Sequence, residues 1–223
     1  GIDSNAIFGG SLMIACGVVA TFIVPGQVLM AGGGGDFFTA VANGLMGRYR
    51  GGAAKVAVTG SALFGMISGS AVANVAAVGV VTIPMMQRAG FSARFAAAVE
   101  AVGSTGGQLM PPVMGAAAFL MAQYIQVPYI EICIAAAIPA LLYYLALFVQ
   151  VDLEAAKRGI AGSRGATAMG ALRAAIAGWM FMLPFAALVV GMMSYDLPAE
   201  RAALMAAAMI AILVMIFPYA GKR

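Results

Sequence analysis

The hydrophobic pattern is a series of long apolar runs separated by short polar punctuation, and it is too long-wavelength for strands. Ile7 to Met30 is apolar for about 24 residues, enough to cross a bilayer once with tilt. The glycines Gly32, Gly33, Gly34 and Gly35 predict a flexible break, and Asp36 to Gly47 reads as a short amphipathic helix lying at the membrane interface. Val56 to Gln87 then runs for 32 residues without a charge, with Ser68-Gly69-Ser70 at its centre and Asn74 one turn further on. Two full crossings need about 40 residues plus a turn. The pattern therefore predicts a re-entrant helical hairpin whose polar tip reaches the middle of the membrane. Backbone that is not helical survives there only where protein or a water-filled cavity satisfies it.

The next apolar stretch, Phe91 to Gln126, is interrupted by Gly103-Ser104-Thr105-Gly106-Gly107-Gln108 and by Pro111-Pro112. Glycine and proline at that density open a helix, so a discontinuous transmembrane helix is predicted. Gln126 to Tyr129 reads as an outside turn, Ile130 to Val151 as a return span, and Asp152 to Arg173 as a polar loop. Two more spans are expected at about Ala174 to Met193 and Ala202 to Pro218, joined by an outside turn from Ser194 to Arg201. The chain thus divides into 1–55 (first span and interfacial helix), 56–90 (hairpin), 91–151 (broken helix and return span), 152–173 (loop) and 174–223 (two spans).

Charge placement supports this topology. Arg48, Arg50 and Lys55, then Arg88 and Arg94, then Lys157, Arg158 and Arg164, and finally Lys222 and Arg223 all fall on one side, with Arg201 the exception. By the excess of basic residues in cytoplasmic loops, that side is the cytoplasm and the N-terminus with Asp3 is outside. The same placement argues against a nucleic-acid partner, although the net charge is +4.

Composition agrees: 63% of the 223 residues are hydrophobic and 9% are charged, against about 25% charged in an ordinary soluble domain. An exterior with so few charges suits lipid. The 29 glycines suit close helix packing there. No histidine is present, which removes Ser-His-Asp and Cys-His catalysis and every histidine-dependent metal site. Cys16 and Cys133 lie inside apolar runs and read as small core residues, and the 17 methionines read as gap-fillers. No enzyme and no bound cofactor is expected. Gly1 to Asn5 carry no basic segment, so no cleavable leader is predicted, and a chain that starts at Gly reads as a piece of something longer.

The candidate chemistry lies in the two breaks. Opening a helix frees carbonyl oxygens, which with hydroxyls make hard oxygen sites for small cations. It also exposes half-helix N-termini that suit a carboxylate. Ser68, Ser70 and Asn74 at the hairpin tip, facing Gly103 to Gln108, would make such a site, unless both breaks are packing features. Glu100 is the one acid inside an apolar segment. It is either a functional intramembrane carboxyl or an interfacial group near the loop containing Arg94.

Four segments carry a resemblance: RGGAAKVAV (50–58), SGSAVANVAAVGVVTIPMM (68–86), EAVGSTGGQLMPPVMGAAAF (100–119) and PALLYYLALFVQV (139–151). Together they resemble the large membrane subunit of tripartite ATP-independent periplasmic (TRAP) transporters, closest to the fused permeases that work with TAXI-type binding proteins. The resemblance implies an all-α, polytopic fold forming half of an inverted-repeat, elevator-type transporter in the bacterial inner membrane. It also implies sodium-coupled import of an organic anion handed over by a periplasmic TAXI-type binding protein. The implied sodium site is Ser68, Gly69, Ser70 and Asn74 with Gly103, Thr105 and Gly106, and the implied substrate contacts are Ser70, Asn74, Ser104, Thr105 and Gln108. Pro111 and Pro112 match the family's double proline at the break. No second Gly/Ser-broken pair follows Arg173, so the second repeat and the small-subunit region are expected from elsewhere, besides lipid, as partners. A sodium–dicarboxylate symporter without a binding protein, and a non-transporting membrane scaffold, remain the alternatives.

Overall fold

The computed structural model describes residue 17 and residues 20–162, 167–194 and 199–217. Every regular element among them is helical. Most of the expected first span, and Cys16 within it, lies outside the described residues, as does Arg164. The end of that span is helix α1 (Ala20–Ala31). The glycine break is tight: Gly33 turns the chain with φ 92°, and α2 (Gly34–Met46) starts at the next residue. Phe37, Phe38 and Ala42 of α2 are buried. The helix is covered on two sides, by the helices Gly52–Ser68 and Ala168–Ala177, with Gly44 backed directly onto the Ala171 backbone.

Helix α3 (Gly52–Ser68) and helix α4 (Ala71–Arg88) form a helical hairpin joined by Gly69 and Ser70. Gly69 ends α3 with φ 59°, a conformation that glycine adopts without strain. Ser70 is extended and caps α4, its Oγ accepting the Ala73 N–H at 3.3 Å. Residues Val75–Gly79 of α4 form a π-turn, one residue wider than the α-helical turns around it.

Helix α5 (Ala93–Gly107) starts at a Ser92 cap and runs on through Gly103-Ser104-Thr105-Gly106-Gly107, so the break expected from Gly103 opens only at Gln108. An irregular stretch over 108–115 follows, containing a cis bond between Pro111 and Pro112, and then α6 (Ala116–Ile125). Gln126, at φ 58°, turns the chain into α7 (Tyr129–Arg158).

Helix α7 corrects one expectation. It continues for 30 residues through Asp152 to Arg158, so the polar loop expected over 152–173 begins only at Gly159. The last turns hold helix through an Arg158–Glu154 pair one turn apart and a Gly159 cap at φ 65°. Helix α8 (Ala168–Ala177), capped by Thr167, takes the other end of that loop. The span expected at Ala174 to Met193 is not straight. Helices α8 and α9 (Trp179–Ser194) meet at Gly178 with a 74° bend. The Phe37 ring lies where a Gly178 side chain would be, which seats the bend on α2. Helix α10 (Ala199–Ile216) closes the described chain.

Two of these helices, α4 and α7, are long and apolar enough to cross a membrane, and the bent α8–α9 pair would be a third. Their outer faces agree. Ile134, Ile138, Leu141, Leu142 and Leu145 of α7 are exposed, an apolar surface that lipid accepts and water does not. Inside, one core joins α3, α4, α5 and α7 around Val58, Met86, Val99 and Leu147. A second joins α1, α2, α3 and α9 around Leu29, Phe38, Phe64 and Phe181. A third joins the irregular stretch and α6 to α9 and α10.

Candidate functional site

The hairpin tip is seated on the break. The Val113 N–H donates to the Met66 carbonyl at 3.3 Å, and the Gly69 backbone lies against the Met114 carbonyl so closely that any side chain there would overlap it. Further along, α3 and α5 cross at two glycines, where a Cβ on Gly107 would stand 2.7 Å from the Gly65 Cα. Sequence fixes this crossing. Ser61, Gly65 and Ser68 recur at helical spacing on one face of α3, and Gly103 and Gly107 do so on one face of α5.

Asn74 fills the crossing. It is fully buried, and its Nδ2 donates to the Ser61 carbonyl at 2.7 Å. The same nitrogen stands 3.2 Å from where a Gly107 Cβ would be. Its Oδ1 is buried and has no hydrogen-bond partner. The amide cannot turn round, because Oδ1 would then face the Ser61 carbonyl, acceptor against acceptor. A buried acceptor of this kind costs about 1–3 kcal/mol unless something donates to it or binds it.

The other predicted residues divide by helix phase. Ser68 is buried and Ser70 half-buried at the tip, and both hydroxyls accept local backbone N–H groups. Ser104 is buried on the hairpin side, and Gly103 packs on the Ser61 side chain while its carbonyl accepts the Tyr144 hydroxyl at 2.8 Å. Thr105 is exposed on another face, its hydroxyl donating to the Ala101 carbonyl at 2.8 Å. Gly106 faces the Tyr143 and Tyr144 rings of α7. The structure therefore gathers Ser68, Gly69, Ser70, Asn74, Gly103 and Ser104 about the hairpin, and leaves Thr105 and Gly106 off it.

Gln108 is exposed and lines an open apolar groove of about 600 Å³ with Met114, Met121, Ala135 and Pro139. Pro111 and Pro112 lie in the irregular stretch beneath it. There the Cys133 thiol donates to the Pro112 carbonyl at 3.4 Å, and the Tyr129 hydroxyl donates to the Val113 carbonyl.

Glu100 is not solvated: it is 1% exposed. Its Oε1 lies 2.9 Å from the Ser61 hydroxyl and 3.2 Å from the Ser104 hydroxyl, and its Oε2 lies 2.5 Å from the Thr82 hydroxyl. Sequence reasoning missed Ser61, Gly65, Thr82 and Tyr144. The helical spacing of Ser61, Gly65 and Ser68 was the available signal for the first two.

The all-helical fold agrees with what the chain resembles across its length. Residues 4–223 match the family model described as "Tripartite ATP-independent periplasmic transporter, DctM component". The C4-dicarboxylate TRAP transporter large permease protein DctM of Pseudomonas aeruginosa is 34% identical over 134 residues, 60% of this chain and 31% of that protein. The 2,3-diketo-L-gulonate TRAP transporter large permease protein YiaN of Escherichia coli is 29% identical over 111 residues, 50% of this chain and 26% of its own length. The isethionate TRAP transporter permease protein DctMQ of Oleidesulfovibrio alaskensis is 36% identical over 91 residues, 41% of this chain and 14% of its length. The chain thus spans less than a third of each of these relatives. With a helical hairpin seated on a broken helix, an apolar exterior and a family match from end to end, the chain belongs to the membrane-embedded DctM component family of tripartite ATP-independent periplasmic transporters.

Proposed function

We propose that this chain is part of the permease of a sodium-coupled uptake system for an organic carboxylate, multi-pass in a bacterial inner membrane, and not an enzyme. Its hairpin enters the membrane from the cytoplasmic side. Its partners are a periplasmic binding protein of the TAXI type, a small membrane subunit or fused equivalent, and the second half of an inverted repeat. The hairpin-bearing body moves against a scaffold in the manner of an elevator.

The observation that carries this reading is the Asn74 Oδ1, a buried oxygen acceptor without a partner at the crossing of α3 and α5. Oxygen acceptors next to an opened helix are what a small hard cation takes. The donor set therefore fits sodium, held by Asn74 with backbone carbonyls of the tip around Ser68 to Ser70. Sodium there would supply positive charge beside the substrate carboxylate. The chain's own groups do the rest. Gly65 and Gly107 let the two helices close on Asn74, Ser61 fixes its amide, and Ser70 presents the exposed start of α4. The break over 108–115 opens Gln108 to the groove in which an organic anion would sit.

Thermal unfolding of the lipid-reconstituted protein, in sodium and in potassium at equal ionic strength, tests the reading. A ligand that binds only the folded state adds about 2.7 kcal/mol at 100-fold excess over its Kd. Sodium-specific stabilisation, lost in Asn74→Ala and kept in Thr105→Ala, is expected. Equal effects of the two ions would leave a scaffold or another coupling ion as the better account.

A further inference from the structure

Glu100 is a buried carboxyl that the cation site does not use, and its hydrogen bonds have a direction. Thr82 has one hydroxyl hydrogen. Its Oγ1 lies 3.0 Å from the Val78 carbonyl, which can only accept, and 2.5 Å from Glu100 Oε2. If that hydrogen goes to Val78, the bond to Glu100 must be donated by the carboxyl. The other oxygen shows the complementary pattern. Oε1 accepts from both Ser61 and Ser104, at 2.9 and 3.2 Å, which fills the two lone pairs of a carbonyl oxygen. With the Thr82 hydrogen on Val78, one carboxyl oxygen accepts twice and the other donates once, the arrangement of a neutral carboxylic acid.

The surroundings agree. The ion pairs among the described residues are Arg50 and Lys55 with Asp152, and Arg158 with Glu154, so none reaches Glu100. The groups facing it are Ser61 from α3, Thr82 from α4, Ser104 of its own helix and, from α7, the Tyr144 phenol, which is committed to the Gly103 carbonyl. A carboxylate without a cation at this depth would be expensive, and such groups neutralise instead. The backbone is shaped for the contact too. The π-turn of α4 ends at Gly79, where a Cβ would stand 3.0 Å from the Glu100 Cγ, and Thr82 follows one turn later.

We propose that Glu100 is a proton-binding site at the interface of α3, α4 and α5, with the proton on Oε2 and passed as a hydrogen bond to Thr82. Parting α4 from α5 removes the Thr82 acceptor and admits water. The Oε2–H bond then breaks, water takes the proton, and a carboxylate remains. Hairpin separation is thereby tied to proton loss. Ser61 connects the two buried groups, because its carbonyl holds the Asn74 amide while its hydroxyl holds Glu100. The proton site stands whether or not a cation binds at Asn74.

Infrared spectroscopy of the protein reconstituted in lipid at neutral pH is the test. A carboxylic-acid carbonyl band is expected in the wild type, absent in Glu100→Gln and retained in Glu131→Gln. Glutamine reproduces the neutral acid, with its amide N–H facing Thr82 and its carbonyl facing Ser61 and Ser104. Glu100→Gln should therefore keep the wild-type unfolding midpoint while Glu100→Ala lowers it. Thr82→Val leaves Glu100 in place but removes its acceptor, and should move the band to higher frequency. A wild type without the acid band, a band that survives Glu100→Gln, or a band unmoved in Thr82→Val would each overturn the proposal.

Discussion

At the scale of single residues, the hairpin interface is governed by what is missing from glycine and by what is shared through serine. Gly65 and Gly107 bring two backbones together where any Cβ would meet backbone atoms that cannot yield, and Asn74 occupies the space they leave. Gly107→Ala should therefore act as an overpacking mutation and cost about 1–3 kcal/mol, read as a lower unfolding midpoint. Alanine at Gly170, where the nearest atom is the Thr167 hydroxyl at 3.4 Å, should cost little and serves as the control. Asn74, Ser104 and Glu100 were legible as polar residues in apolar runs. Which of the neighbouring small residues face them was not. Gly103 and Gly107 are four apart and share a face, whereas Thr105 and Gly106 are turned away by 100° steps of the helix. Composition marks where a helix opens, but helix phase assigns the side chains, and phase depends on where the preceding cap starts the count. Here Ser92 sets it.

At the scale of elements, two features came through in the sequence for a physical reason. An uncharged run too short for two spans has a glycine in its centre that only a turn requires, and the hairpin follows. Pro111 and Pro112 fall in the break over 108–115 as expected, whereas Gly103, Gly106 and Gly107, expected in it too, stay helical at the end of α5. The boundaries around Asp152 did not come through, because charged residues read as loop although helix propensity and a Glu154–Arg158 pair hold them helical. The charged end of α7 lies beyond its apolar stretch and ties it to the start of α3, with Asp152 accepting from Arg50 and, at 2.6 Å, from Lys55. Hydrogen bonds from Arg50 first and Lys55 next hold the Asp152 carboxyl well below the usual carboxylate range. A depressed acid stabilises the fold above its unfolded-state value and loses that contribution as pH falls through the folded one. Acid unfolding followed by circular dichroism should therefore shift to higher pH in Lys55→Met. Asp152→Asn should flatten the pH dependence in the acidic range.

At the scale of the whole molecule, two of the three cores share α3, while the outer faces of α7 and its neighbours stay apolar. The sequence announced that exterior through its scarcity of charge. It did not announce the 74° bend between α8 and α9, which depends on Gly178 yielding to the Phe37 ring of a helix more than a hundred residues earlier. The proposed re-entrant placement of the hairpin belongs to this scale. In a background lacking Cys16 and Cys133, Ser70→Cys should react with a membrane-impermeant thiol reagent from one face only, and more slowly in sodium than in potassium. Equal labelling from both faces, or none in either ion, would remove the re-entrant tip.

The π-turn of α4 has a consequence for how this helix tolerates changes in length. Residues Val75–Gly79 carry one more residue than an α-helical turn would, so a one-residue deletion there would restore a regular hydrogen-bond ladder instead of damaging it. The healed helix would still span the hairpin. Thr82 would be turned by about 100° relative to Asn74. Asn74 would stay on the Gly65–Gly107 crossing while Glu100 lost Thr82 and kept only Ser61 and Ser104. The extra residue therefore works as a phase shifter, letting one helix keep an amide in register with α3 and a hydroxyl in register with α5, which a regular helix of the same sequence could not do at once.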